Sequence, residues 1–218
     1  MAFSDTLFAE KIASFEQNDR ERILAALDLA GNTGAASIAL ELGLDADTVI
    51  AALLLTGFKD RPLPESLNGQ FGPAVTLLAH GVQKIDSLRT NDTTIIKTIH
   101  EAKNIRNMFF ALTEDIRVIL IVLAEKLHML RELDCSPEEV RKAAAQEALD
   151  IYAPLADRLG ISRIKDEMED LALKFLNREA YLQIQNLVAE NPSSGICSLN
   201  GRCKPSKKKR KRQELTSR

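Results

Sequence analysis

The stretch Asp115–Leu133, DIRVILIVLAEKLHMLREL, decides how this chain folds. Its run from Val118 to Ala124 is the longest strongly apolar segment, far short of the roughly 20 residues that cross a bilayer. It reads instead as a helix buried on all sides, which needs other helices to bury it. No segment of the chain alternates strictly between hairpin turns, so strands are not expected. The body, from Ser4 to about Ala189, reads as all-α.

Helix punctuation works outward from there. Asp45 or Asp47 is placed to cap a helix through Thr48–Leu55, with Gly57 near its end. Pro62 and Pro64 mark a loop, and Pro73 opens the next helix. Ser136-Pro137-Glu138-Glu139 has the form of a capping box. That helix should run toward Tyr152, where Pro154 kinks or ends it. Ile161, Ile164, Met168, Leu171 and Phe175 recur at helical spacing opposite Asp166, Glu167, Glu169 and Asp170.

The 218 residues are 45% hydrophobic and 28% charged, enough for one core or two small ones. With no Trp and 5% aromatic residues, packing relies on Leu, Ile, Ala and Val. Cys135, Cys197 and Cys203 have neither zinc spacing nor an even disulfide framework, which suits a reducing cytoplasm. The N-terminus, MAFSDTLFAEKIASFEQ, lacks the basic start and apolar run of a signal peptide. A soluble, cytoplasmic protein without a membrane partner is expected.

A net charge of −2 conceals two parts. From Arg202 onward the chain carries +8, and the remainder −10. Residues 191–218 hold too few apolar side chains to offset the entropy of ordering, so a disordered basic tail is expected. Its run Lys207, Lys208, Lys209, Arg210, Lys211, Arg212 suits RNA electrostatically. It lacks interleaved aromatics for stacking on bases, so such binding would be sequence-blind. A solvated end without function is the plainer reading.

Four segments carry a family likeness: Glu41–Leu54 (ELGLDADTVIAALL), Phe71–Ile85 (FGPAVTLLAHGVQKI), Asp115–Leu133, and Ala148–Ile184. In this order they resemble the amino-terminal region of long RelA/SpoT homologues, which make and degrade the alarmone (p)ppGpp. The resemblance implies an HD-type helical hydrolase domain, followed in full-length relatives by a synthetase domain. It divides the chain into an N-terminal helical segment (1–20), the HD domain (21–160), a helical linker (161–190) and the tail (191–218).

Hydrolytic members of that family hold manganese with an early histidine, an adjacent His-Asp pair and a later aspartate. Such mixed imidazole and carboxylate ligands suit that ion. In this chain Ala30-GNTGAA contains no histidine, and Leu55-Thr56 stands at the His-Asp pair. Lys59-Asp60 stands at a Glu-Asp pair, Glu125 at the later aspartate and Met129 at a pocket asparagine, while His128 and Arg131 match. The resemblance therefore implies a vestigial pocket of Leu55, Thr56, Lys59, Asp60, Glu125, His128 and Arg131.

The expectation drawn from these replacements is a RelA-like pseudo-hydrolase, not an enzyme, with no metal and no cofactor. Its duties would be structural or regulatory, and its partner the synthetase domain, with the chain cut short before it. The alternatives are residual manganese-dependent (p)ppGpp hydrolysis using Asp60, Glu125 and His128, and RNA or ribosome binding through the tail. A guanine nucleotide is the small-molecule partner the pocket would take. Arg117 and Arg131 are candidates to meet a phosphate, or else form surface ion pairs. His80 and His100 lack partners at metal spacing and read as ordinary side chains.

Overall fold

The computed structural model of the protein describes residues 3–58, 63, 66–91 and 115–190. No strand occurs among the described residues, and the all-α expectation holds. The helices are α1 (Phe3–Ile12), α2 (Gln17–Ala30), α3 (Gly34–Glu41), α4 (Ala46–Gly57), α5 (Leu67–Phe71), α6 (Pro73–Asn91) and α7 (Ile116–Glu132). After a 3₁₀ turn (Leu133–Cys135) come α8 (Glu138–Glu147), a π turn (Ala148–Tyr152), α9 (Ala153–Arg158), α10 (Ser162–Leu176) and α11 (Arg178–Glu190). Two compact units divide the chain, Met1–Arg178 and Glu179–Arg218. Among the described residues no helix is long and apolar enough to cross a membrane.

The first unit is built around α4 and α7. Val49, Ile50, Ala51, Ala52, Leu53 and Leu54 are all buried, so α4 has no solvent face over that span. It packs against α2, α3, α6 and α7. The α7 run fulfils its reading: Val118, Ile119, Ile121, Val122, Leu123 and Ala124 are buried, with Leu120 half-buried. Helices α3, α4, α6 and α10 surround it. Removing such side chains from water stabilises the fold by about 1.5–3 kcal/mol for each large aliphatic group.

Close approach at the end of α4 demands glycine. A Cβ on Gly57 would lie 2.5 Å from the Cα of Ala30, at the end of α2. Only a residue without a side chain lets the two backbones meet there. In the second unit α11 carries its own local bond, with Gln185 Nε2 donating to the Tyr181 hydroxyl at 2.7 Å.

Three expectations change in detail. Asp45 does hold the N-cap position of α4, yet its side chain caps no backbone amide. Its carboxylate accepts instead from the Thr48 hydroxyl and from Arg117. The Ser136 capping box does not form, because α8 starts at Glu138 and its N-cap position falls on Pro137, which has no hydroxyl. Pro154 does not end the helical run. The chain widens into the π turn, where the Ala153 amide bonds back to the Ala148 carbonyl, and Pro154 then sits in the first turn of α9. A proline ring tolerates that position because no helical amide is required of it.

The stripe on α10 is as expected: Ile164, Met168 and Phe175 are buried, Ala172 joins them, and Leu171 packs against the core. Ile161 falls just before the helix and packs against the same core.

Candidate functional site

Helix α7 is buried almost throughout, and its exceptions in the middle are informative. Glu125, His128 and Met129 are half-buried. Positions spaced by three and four residues share one helix face, so these three form an open stripe on a core helix. His128 Nε2 lies 3.5 Å from Glu132 Oε1, one turn on along the same face. The last turn of α4, on a helix packed against α7, leaves Leu55 and Thr56 half-buried as well.

Thr56 is committed locally. Its hydroxyl donates to the Ala52 carbonyl at 2.9 Å, and its methyl lies 2.6 Å from where a Cβ on Gly34 would stand. Gly34, the first residue of α3, has φ +34 and no side chain, and both properties are needed to seat the threonine. Leu55 offers only carbon. Among the described residues no three His, Cys, Asp or Glu side chains cluster so as to hold a metal.

Lys59 and Asp60 lie outside the described residues, as do His100, Cys197, Cys203 and the tail run Lys207, Lys208, Lys209, Arg210, Lys211, Arg212. His80 is exposed on α6.

The two candidate phosphate-binding arginines have other partners. Arg131 makes a bidentate pair with Glu167 on α10, Nε and Nη2 donating at 2.6 and 2.8 Å, and stands 3.6 Å from Glu41 on α3. Burial works against its charge, yet Glu167 and Glu41 outweigh that and raise its pKa above the ordinary value. Arg117 donates to Asp115, Nη2 at 2.6 Å, and reaches Asp45 at 2.7 Å. Hydrogen bonds from Arg117 hold the Asp115 carboxyl below its usual range. Both arginines join helices rather than standing free for a ligand.

One feature went unread in the sequence. Helices α1 and α2 and the turn Gly31–Thr33 line an open cavity of about 390 Å³. Phe8, Ile12 and Leu27 give it an apolar floor, and Asp28, Asn32 and Thr33 line it with polar groups. The available signal was the pair Gly31 and Gly34 bracketing two polar residues. It registered only as a segment lacking histidine.

The HD domain family profile matches residues 8–162. A probable guanosine-3′,5′-bis(diphosphate) 3′-pyrophosphohydrolase from Synechocystis is 39% identical over 163 residues, covering 74% of this chain and 21% of that protein. The guanosine-3′,5′-bis(diphosphate) 3′-pyrophosphohydrolase of Haemophilus influenzae is 41% identical over 156 residues, covering 70% and 22%. The bifunctional (p)ppGpp synthase/hydrolase SpoT of Escherichia coli K12 is 40% identical over 154 residues, covering 70% and 21%. The chain thus spans about a fifth of the length of these relatives.

These relatives correct the expectation that the chain is not an enzyme. Proteins about 40% identical to it across this region are named as pyrophosphohydrolases. Leu55 and Thr56 were too narrow a basis for that exclusion: donors contribute in graded steps, and Glu125 and His128 still present polar groups on the open stripe of α7. The chain belongs to the HD domain family, as an HD domain of the RelA/SpoT type.

Proposed function

We propose that this chain is a guanosine-3′,5′-bis(diphosphate) hydrolase domain of low, residual turnover. The observation that carries this reading is its 39–41% identity to pyrophosphohydrolases over about seven-tenths of its length. The open stripe on α7 supports it, since it gives an otherwise buried helix a polar face of suitable chemistry.

Hydrolysis adds water across the 3′-pyrophosphate ester, releasing pyrophosphate and leaving a 3′-hydroxyl. Glu125 is the candidate acceptor for the proton of water, and His128 the candidate donor to the departing oxygen. A positioned acid or base of this kind contributes about 10²–10⁴-fold to a rate. Replacement of Leu55 and Thr56 side chains by stronger donors is not needed for that proton traffic, which is why the predicted turnover is low rather than absent.

The test is pyrophosphate release from ppGpp by the purified chain, measured with and without added manganese. Turnover above a protein-free control is expected, reduced at least roughly tenfold in Glu125→Gln and His128→Ala. Absence of turnover under both conditions overturns the proposal.

A further inference from the structure

We propose that the open cavity between α1 and α2 binds a linear aliphatic polyamine, with one terminal ammonium among Asp28, Asn32 and Thr33 and the other on Glu21. The inference goes beyond the hydrolase reading and does not draw on the α7 stripe. Charge, shape and spacing each carry part of it.

Charge selects a cation. The side chains of Asp28, Asn32 and Thr33 line the cavity and make no hydrogen bond or ion pair among the described residues. An ammonium has three donors and no acceptor, and here it meets a carboxylate, an amide carbonyl and a hydroxyl. These groups stand at the C-terminal end of α2, whose last turn holds no basic residue. A helix C-terminus carries partial negative charge and favours a cation. The cations of α1 and α2 are already engaged. Lys11 donates to the Leu40 carbonyl, Arg20 to the Ala13 and Phe15 carbonyls, and Arg22 pairs with Asp19 and Asp47.

Shape selects an aliphatic body. Phe8 and Ile12 of α1 and Leu24 and Leu27 of α2 give the cavity an apolar lining, which suits methylene groups better than a hydrated metal ion. Its volume of about 390 Å³ lies within the roughly 300–1,000 Å³ usual for small-molecule sites.

Spacing selects the length. Glu21, Leu24 and Asp28 are exposed and follow one another at three and four residues, so they share one face of α2. Seven residues of helix separate Glu21 from Asp28 by about 10 Å along the axis. The nine bonds between the terminal nitrogens of spermidine span roughly 11 Å when extended, whereas the five of putrescine span roughly 6 Å. Putrescine therefore reaches only one of the two carboxylates. Glu21 accepts from Gln17 through Oε1 at 2.7 Å, which leaves Oε2 for the ligand. The central ammonium of spermidine stays hydrated on the open side of the cavity.

Calorimetric titration of the full chain at low ionic strength, with spermidine, 1,8-diaminooctane and putrescine, tests the site. Spermidine and the length-matched diaminooctane should each bind at least about threefold tighter than putrescine, the gain of one further exposed ion pair. Asp28→Asn should weaken all three amines at least about threefold, while Glu21→Gln should weaken the two long ones and leave putrescine unchanged. Glu139→Gln, which removes an exposed carboxylate from α8, should change none of them. Equal weakening by Glu139→Gln would reveal diffuse attraction to an acidic surface and overturns the inference. So does spermidine binding without diaminooctane binding, since the third charge alone would then explain it. Unchanged spermidine affinity in Asp28→Asn, putrescine binding as tightly as spermidine, or no amine binding at all also overturns it.

Discussion

Asp170 shows how one side chain can oppose the fold that holds it. It lies on α10 near Asp166, Glu167 and Glu169. Desolvation first, and then these three carboxylates, push its pKa up from 3.8 to about 6. A carboxyl with a higher pKa when folded binds more protons in the folded state, so stability falls as pH rises between those values. Asp170→Asn should therefore melt at a higher temperature than the native chain at pH 7, with the gain shrinking as pH drops below about 6 and nearly gone below 3.8. Salt should reduce the gain, because the group is partly open to solvent. Thermal melts across that pH range decide it, and a gain that grows on acidification sinks the account. The acidic face was legible as a pattern; its cost at one residue was not, since burial depends on which residues other helices bring alongside.

Between elements, the clearest tie is the bidentate pair of Arg131 on α7 with Glu167 on α10, with Glu41 of α3 nearby. Arg163 also reaches Glu41, at 2.9 Å, so three helices meet through four charges. Arg131→Ala should cost about 1–3 kcal/mol of stability, more than an exposed pair would. A double-mutant cycle with Glu167→Ala should return a coupling of roughly 0.5–3 kcal/mol. Urea unfolding of the four proteins measures both quantities; additive losses would show that the pair contributes nothing as a pair. Family position placed Arg131 at a ligand pocket, while its partners, 36 and 90 residues away, exist only in the fold.

Punctuation was legible within similar limits. Pro73 opened a helix as local rules require, because a first-turn proline needs only its own φ. Pro154 reads as a kink or an end, and the helical run instead continues through the π turn with Pro154 in the first turn of α9. Ser136 failed as a cap by one residue, the scale at which helix starts are hardest to place from sequence.

For the molecule as a whole, the all-α bundle was legible because the apolar run on α7 had no other way to be buried. The candidate site was less so. Glu125 and His128 were found by position within a family pattern, and the structure adds that they share the open face of a core helix. The cavity between α1 and α2 was not legible at all: its apolar floor comes from both helices and its polar rim from α2 and the following turn, an association that no local pattern records.

The seclusion of α7 has a further consequence, in the time domain. Val122 and Leu123 are fully buried in a helix packed against α3, α4, α6 and α10, so deuterium reaches their amides only when those contacts open. Their exchange should report global unfolding, with protection matching the full stability of the first unit, while the amides opening α2 exchange sooner through fraying. Exchange followed by mass spectrometry would then time the whole unit by its slowest peptide, and a fast α7 peptide would mean that its enclosure is looser than its neighbours suggest.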